Sequence, residues 1–275
     1  MVTPNHLDLE IITLAFRMKN TTLTNLISKQ IPLNDERVFD VKLQGSRFWI
    51  KQAEASSSTI WHYLSSIIAK ISDNPLFTPT VTIDGNTALT GEIQRINQLK
   101  NEGASVPQII ASGENWFATA DHGITLQKLF KRSELSDKQL QHILEQAAIA
   151  LANLHNLGAW HGRPALKDIL WDGEKVTLID FEENPISYLT PVQCMSRDIF
   201  LFMHSVVRFY EADNPVISAV WNRYCENAAG EICQSAINLA KSMPWLFWLS
   251  KLSQPIAGND VRQTYKVLYF FRKAV

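Results

Sequence analysis

Cysteine is scarce in this chain. Cys194, Cys225 and Cys233 are the whole complement among 275 residues, and no two stand in a C-x-x-C pair. An odd count at such spacing excludes a dense disulfide framework and a zinc ribbon, and it suits reduced thiols in a cytoplasmic protein. An excess of charge of one sign is missing too. Twenty-six Lys and Arg against 27 Asp and Glu leave a net charge of −1, so the footprint of a nucleic-acid-wrapping surface is absent and nucleic acid is not an expected partner. No apolar run approaches the roughly 18 residues needed to span a bilayer; the longest of note is Met243–Leu249. The first ten residues carry acids and no basic region, so a secretory leader is not expected. Repeats and low-complexity tracts are lacking apart from Ser56-Ser57-Ser58, which reads as a flexible turn. What remains is 46% hydrophobic and 19% charged, enough to bury a core as one large domain or two packed lobes.

The first third of the chain reads as strands with a helix. Val38–Leu43 and Phe48–Lys51 are aromatic and β-branched runs about a turn containing Gly45, a hairpin signal. A helical stretch is expected around Ile60–Ile71. Thr90 can cap a helix through Lys100, with Ile93, Ile96 and Leu99 on one face and Gly103 past its end. Val106–Ala111 and Trp116–Ala120 read as strands joined by Ser112-Gly113-Glu114-Asn115. After Asp121-His122-Gly123 the pattern turns helical. Ser136 opens a capping box with Gln139, and Leu140, Ile143, Leu144, Ala147, Leu151 and Leu154 mark one buried face up to Gly158. Asp172-Gly173 predicts a tight hairpin between Ile169–Trp171 and Lys175–Ile179, because Asp-Gly tolerates positive φ. From Gln193 onward helices are expected.

Two segments carry chemistry. His161-Gly162-Arg163-Pro164-Ala165-Leu166-Lys167-Asp168-Ile169-Leu170 precedes the hairpin turn, and Leu178-Ile179-Asp180-Phe181-Glu182 closes it. A carboxylate ending an apolar strand, as Asp180 does, has no packing reason to be there; capping the turn into Glu182-Glu183-Asn184-Pro185 is its plain structural alternative. The run resembles the H-G-D-x-x-x-x-N-I-L, hairpin, I-D-F pattern of protein-kinase-like phosphotransferases, in particular the bacterial lipopolysaccharide (Kdo/heptose) kinases and the KEOPS-associated small kinases. It departs from them twice. Arg163 stands where the family has its catalytic-loop Asp, and Asp168 where it has a metal-binding Asn. The resemblance covers about residues 38–210, specifically in its second half and loosely in its first.

That resemblance implies an α+β, bilobal protein-kinase-like fold, with a β-rich N-lobe over residues 1–120 and a mainly helical C-lobe over 121–275. It also implies ATP- and Mg²⁺-dependent phosphoryl transfer. Lys51 would contact the nucleotide phosphates with Glu92 as its helix partner and Glu54 as a rival. Asp121 and Gly123 would meet the adenine through backbone groups, and Asp168 and Asp180 would hold Mg²⁺, for which carboxylate oxygen is as suitable as amide oxygen. Arg163, Asp168 and Asp180 form the implied catalytic set, and Glu182, in place of the Gly of D-F-G, adds a third carboxylate. His161 would anchor the catalytic loop, and Asp198 of Arg197-Asp198-Ile199-Phe200, opening a helix, would brace it. Without the resemblance, Lys51 is an exposed strand lysine and Glu92 an acid favouring a helix N-terminus. No G-x-G-x-x-G run occurs, and Gly45 belongs to the hairpin before Lys51.

Arg163 is the departure that matters, since a guanidinium cannot act as general base at neutral pH. Four readings follow: a pseudokinase serving as a nucleotide-binding or regulatory scaffold, a kinase whose acceptor is oriented by another carboxylate, a different transfer such as adenylylation, or a cation that neutralises Asp168 and Glu182 and shapes an anionic site. Electrostatics favours the last, because both acids add charge relative to the family pattern. The acceptor implied is a lipopolysaccharide sugar or another small molecule, free or lipid-linked.

From Lys241 on, six basic residues face the single acid Asp260, interleaved with Trp245, Phe247, Trp248, Tyr265, Tyr269, Phe270 and Phe271. Such a segment is either the last helical layer of the core, with solvated lysines, or a face for peripheral contact with a membrane. The expected location is cytoplasmic, with a peripheral position at the inner membrane as the second reading.

Overall fold

The computed structural model describes residues 22–31, 36–43, 45–53, 85–132, 135–256 and 258–273. The chain is α+β and forms two compact units: a β-rich one holding the described residues up to 53 together with residues 85–97 and 107–121, and a helical one holding residues 98–106 and the described residues from His122 onward.

In the β-rich unit, β1 (Val38–Leu43), β2 (Ser46–Gln52), β3 (Ile109–Ser112) and β4 (Trp116–Ala120) form an antiparallel sheet in the order β1-β2-β4-β3. One row of paired residues, Phe39, Ile50, Ala118 and Ala111, runs across it. All four are buried, with Trp116 and with Ile27 of a helical segment over residues 22–28. Because strand side chains alternate, Lys51 faces away from this core. Helix α1 (Gly85–Asn101) starts before the expected Thr90 cap. The Thr90 hydroxyl donates back to the Asn86 carbonyl at 2.9 Å, so Thr90 sits inside the helix. The buried stripe is Leu89, Glu92, Ile96 and Leu99, with a carboxylate in it that periodicity alone does not flag. Strand β3 begins three residues later than expected, since Pro107 has no N–H for a ladder. The helix expected around Ile60–Ile71, and Glu54, lie outside the described residues.

In the helical unit, β5 (Ile124–Thr125), β6 (Ile169–Trp171) and β7 (Val176–Leu178) make a small antiparallel sheet. The hairpin turn is longer than expected. Trp171 pairs with Val176, leaving residues 172–175 in the loop, and the Asp172 carboxylate accepts from the Glu174 and Lys175 amides, both at 2.9 Å. That side chain supplies the turn that two residues were expected to make. Helices α2 (Leu126–Arg132), α3 (Asp137–Asn156), α4 (Pro191–Val206), α5 (Pro215–Asn227), α6 (Gly230–Lys241), α7 (Pro244–Leu252) and α8 (Asn259–Lys273) complete the unit. Helix α3 starts at the expected capping box of Ser136 and Gln139, and its inward Leu144, Leu151 and Leu154 each contribute about 2 kcal/mol by burial. A second capping box, Thr190 with Gln193, starts α4, so Arg197-Asp198 falls inside that helix and does not open it.

The thiols differ from expectation. Cys225 and Cys233 form a disulfide, and only Cys194 is free and buried. Cys225 lies in the last turn of α5 and Cys233 in the first turn of α6, and the reversal between the helices brings their Cα atoms to 6.1 Å, within the range a disulfide spans. Spacing along the chain carries no trace of that reversal, and cysteine usage no longer argues for a reducing compartment.

Candidate active site

In the β-rich unit, Lys51 on β2 and Glu92 on α1 meet away from the sheet core. The ammonium lies 2.9 Å from the carboxylate, with the Glu92 side chain 1% exposed. A charge this buried is tolerated only when paired, so each residue dictates the other. Asp121 ends the same unit, where its carboxylate accepts from the Trp49 indole at 3.1 Å and lies 4.0 Å from Arg47. Gly123 belongs to the helical unit and has φ +92. A Cβ there would collide with the Trp171 carbonyl, so close backbone packing already accounts for the glycine.

The loop from His161 to Asp168 is held from three sides. The buried Asp198 carboxylate accepts from the backbone amides of His161 and Gly162, and its other neighbour is His155 at 3.5 Å, which in turn contacts the Tyr224 hydroxyl at 2.5 Å. Burial, and then the charge of Asp198, push the Tyr224 phenol well up. His161 is buried; its Nε2–H donates to the Ile179 carbonyl at 2.8 Å, and its ring packs on Phe181 with centroids 4.6 Å apart. Gly162 has φ +107, and a Cβ would strike the Glu183 carbonyl. These contacts tie the loop to the segment that follows β7.

Backbone pairing then sets the two acids together. The Ile179 amide donates to the Asp168 carbonyl at 2.9 Å, beside the Ile169–Leu178 pair of the hairpin. Asp168 is 4% exposed. Its burial, and next the charge of Asp180, raise its carboxyl to about 7, against the opposing pull of Lys167 and Arg163. Lys167 Nζ lies 3.4 Å from Asp168 Oδ1, while the buried Oδ2 has no hydrogen-bond partner. Asp180, at φ 71, is the non-glycine residue with positive φ among those described. That conformation costs on the order of 1 kcal/mol or more and marks a residue held for a reason. An orphaned carboxylate oxygen beside a second, repelling carboxylate fits a hard divalent cation such as Mg²⁺. No cluster of three or more His, Cys, Asp or Glu forms a closed metal cage among the described residues. Two carboxylates are the usual protein share of a Mg²⁺ site, with phosphates and water making up the rest.

Arg163 takes a direct partner beyond the acids expected of it. Its Nε lies 2.8 Å from Glu183, one residue beyond Glu182; its effect on Asp168 is the longer-range one already described. Glu183 is shared with Arg197, at 3.3 Å, and Arg197 also donates to the Gly162 carbonyl. Sequence reading missed Glu183 and Arg197. Glu183 looked like its neighbour Glu182, and Arg197 was legible only as the residue before Asp198. Arg163 and Lys167 also line a cavity of about 230 Å³ with Arg208, His204, Gln127, Gln263 and Asp260. Three cations against one acid make it a place for an anionic group.

Residues 37–185, more than half of the chain, match the lipopolysaccharide kinase (Kdo/WaaP) family. An uncharacterized protein of Haemophilus influenzae is 27% identical over 237 residues, covering 86% of this chain and 90% of that protein.

Proposed function

We propose that this chain, which belongs to the lipopolysaccharide kinase (Kdo/WaaP) family, is an ATP- and Mg²⁺-dependent phosphotransferase acting on an anionic sugar acceptor of the lipopolysaccharide type. The observation that carries this reading is the Asp168–Asp180 pair, two carboxylates held together by the hairpin with one buried oxygen left without a partner. In this reading Asp168 and Asp180 hold Mg²⁺, and Lys51, steadied by Glu92, takes nucleotide phosphate oxygens. Bound Mg²⁺ neutralises charge on the transferring phosphoryl group. Asp121 and Gly123 meet the adenine through their backbone.

Arg163 cannot remove the acceptor proton. A loose phosphoryl-transfer transition state depends more on positioning and charge neutralisation than on a base, so transfer survives its presence. Arg163 with Lys167 and Arg208 instead receives a carboxylate or phosphate carried by the acceptor. The cavity that all three line supports this assignment.

A second reading, a nucleotide-binding pseudokinase with a regulatory role, is favoured by the same Arg163. One pair of measurements separates them. MgATP at about 100 times its Kd raises the unfolding free energy of either form by about 2.7 kcal/mol, and Asp180→Ala removes the Mg²⁺-dependent part. Phosphate transfer to lipopolysaccharide occurs only in the first. No stabilisation of a folded wild-type chain by MgATP would overturn both.

A further inference from the structure

Helix α7 presents an apolar face to solvent. Trp245, Trp248, Leu249 and Leu252 recur at i, i+3, i+4 and i+7, the spacing of one helical face, and that face stands in solvent, with Trp248 54% and Leu252 76% exposed. Ile256, one turn further along, is 91% exposed. The inward side of α7 carries the buried Ser250, whose hydroxyl donates to the Phe247 carbonyl at 3.0 Å. Neighbouring α8 shows the ordinary arrangement, with Val267, Leu268, Phe270 and Phe271 buried and Arg262 and Lys273 exposed. Among the aromatic residues of the last 35 positions, Phe270 and Phe271 of α8 are core and Trp245 and Trp248 of α7 are exposed, while Phe247, Tyr265 and Tyr269 are half-buried, with Phe247 stacked on Tyr265 at 5.6 Å. Single exposed apolar residues are unremarkable, but a continuous stripe of this size marks an interaction surface.

Charge says what covers it. Lys241, Lys251, Arg262, Lys266, Arg272 and Lys273 stand against Asp260 alone from residue 241 onward. Lys251 reaches back over the Trp248 ring, 5.0 Å from its centroid, so a cation borders the apolar stripe directly. Large apolar residues edged by tryptophan and lysine suit the headgroup boundary of a bilayer, where the rings take the interface and the ammonium groups reach lipid phosphates. A second copy packed face to face would bring two basic segments together, and like charges opposed across an interface are unfavourable. No described helix is long and apolar enough to cross a membrane, so contact through α7 is peripheral.

We propose that α7 docks this protein on an anionic lipid surface, with Trp245, Trp248, Leu249, Leu252 and Ile256 in the interface and Lys251 at its edge. The inference stands apart from phosphoryl transfer and survives if that reading fails.

The test is co-sedimentation of the full-length protein with phosphatidylethanolamine/phosphatidylglycerol vesicles and, separately, with phosphatidylcholine vesicles, at low and high salt. The comparison protein is the double variant Trp248→Ser/Leu252→Ser, whose substituted positions are exposed and whose melting should match wild type. The wild type should pellet with the anionic vesicles, with binding weakened by salt and lowered about tenfold or more both by the variant and by neutral lipid. Failure to pellet at low salt, or pelleting of the variant at the wild-type level, would overturn the proposal. So would a wild-type dimer in sedimentation velocity that the variant dissociates without any vesicle binding, which would assign the face to a second copy.

Discussion

Arg163 is paired with Glu183 at 2.8 Å, and Arg197 grips the same carboxylate at 3.3 Å. The cation that replaces the family's catalytic-loop Asp is thus moored to the segment after Asp180 by an acid that has a second holder. Its removal leaves Glu183 tethered. Arg163 also lines the cavity, with Lys167 and Arg208.

Arg163→Ala should therefore cost less than about 1 kcal/mol of stability, since the pair is partly exposed. MgATP affinity should stay within about twofold of wild type. Efficiency toward a lipopolysaccharide acceptor should fall on the order of tenfold, the worth of one charge-assisted hydrogen bond. Calorimetric titration with MgATP and steady-state transfer assays read the two effects separately. A drop in nucleotide affinity would reassign Arg163 to the nucleotide phosphates, and a gain of turnover in Arg163→Asp would show that it obstructs the site.

Lys51→Met should destabilise the protein by roughly 3–5 kcal/mol, because it strands the buried Glu92 carboxylate. The double variant Lys51→Met/Glu92→Leu should recover most of that loss, since apolar residues of similar volume replace a buried pair at little cost. Urea unfolding of both variants measures this coupling. MgATP should stabilise neither; stabilisation of the folded double variant would remove Lys51 from the nucleotide site.

Asp168 titrates near 3.8 in the unfolded chain and near 7 in the fold. Between those values the native state holds a proton that the unfolded state lacks, so stability declines as pH rises from about 4 to about 7 and levels off above. The full change is on the order of 4 kcal/mol. Asp168→Asn should flatten it. His204 works in the opposite sense, because burial holds its imidazole below 6.5. The quantity to follow is accordingly the difference between wild type and variant in metal-free chemical unfolding across this window. Parallel pH profiles for the two proteins would show that Asp168 is ionised in the fold.

Asp198→Ala should cost about 3–5 kcal/mol, because the amides of His161 and Gly162 lose their buried acceptor. Asp198→Asn keeps the shape and one acceptor oxygen, and should fold while transferring phosphate more slowly at unchanged MgATP affinity. Thermal melting followed by circular dichroism, with parallel kinetics, checks both. A folded alanine variant with wild-type melting would mean the loop is held by its other contacts.

Local rules were legible in the chain itself. Ser136 and Gln139 start α3 where the capping box says, and the stripe Ile143, Leu144, Ala147, Leu151 and Leu154 is buried as its periodicity requires. The hairpin between β6 and β7 was marked by Asp172-Gly173, and the family by the residues flanking it, as the match over residues 37–185 shows. Each of these signals is carried within a few residues, so no knowledge of distant contacts was needed. Tertiary structure decided the rest. It chose Glu183 over Glu182 for Arg163, buried Glu92 against Lys51, and brought Cys225 to Cys233. It also pointed the apolar face of α7 outward while burying that of α8. The physical reason is common to all four. Spacing along a chain specifies which residues share a face or a turn, but the medium that face meets, and the charge across from it, are set by elements many residues away.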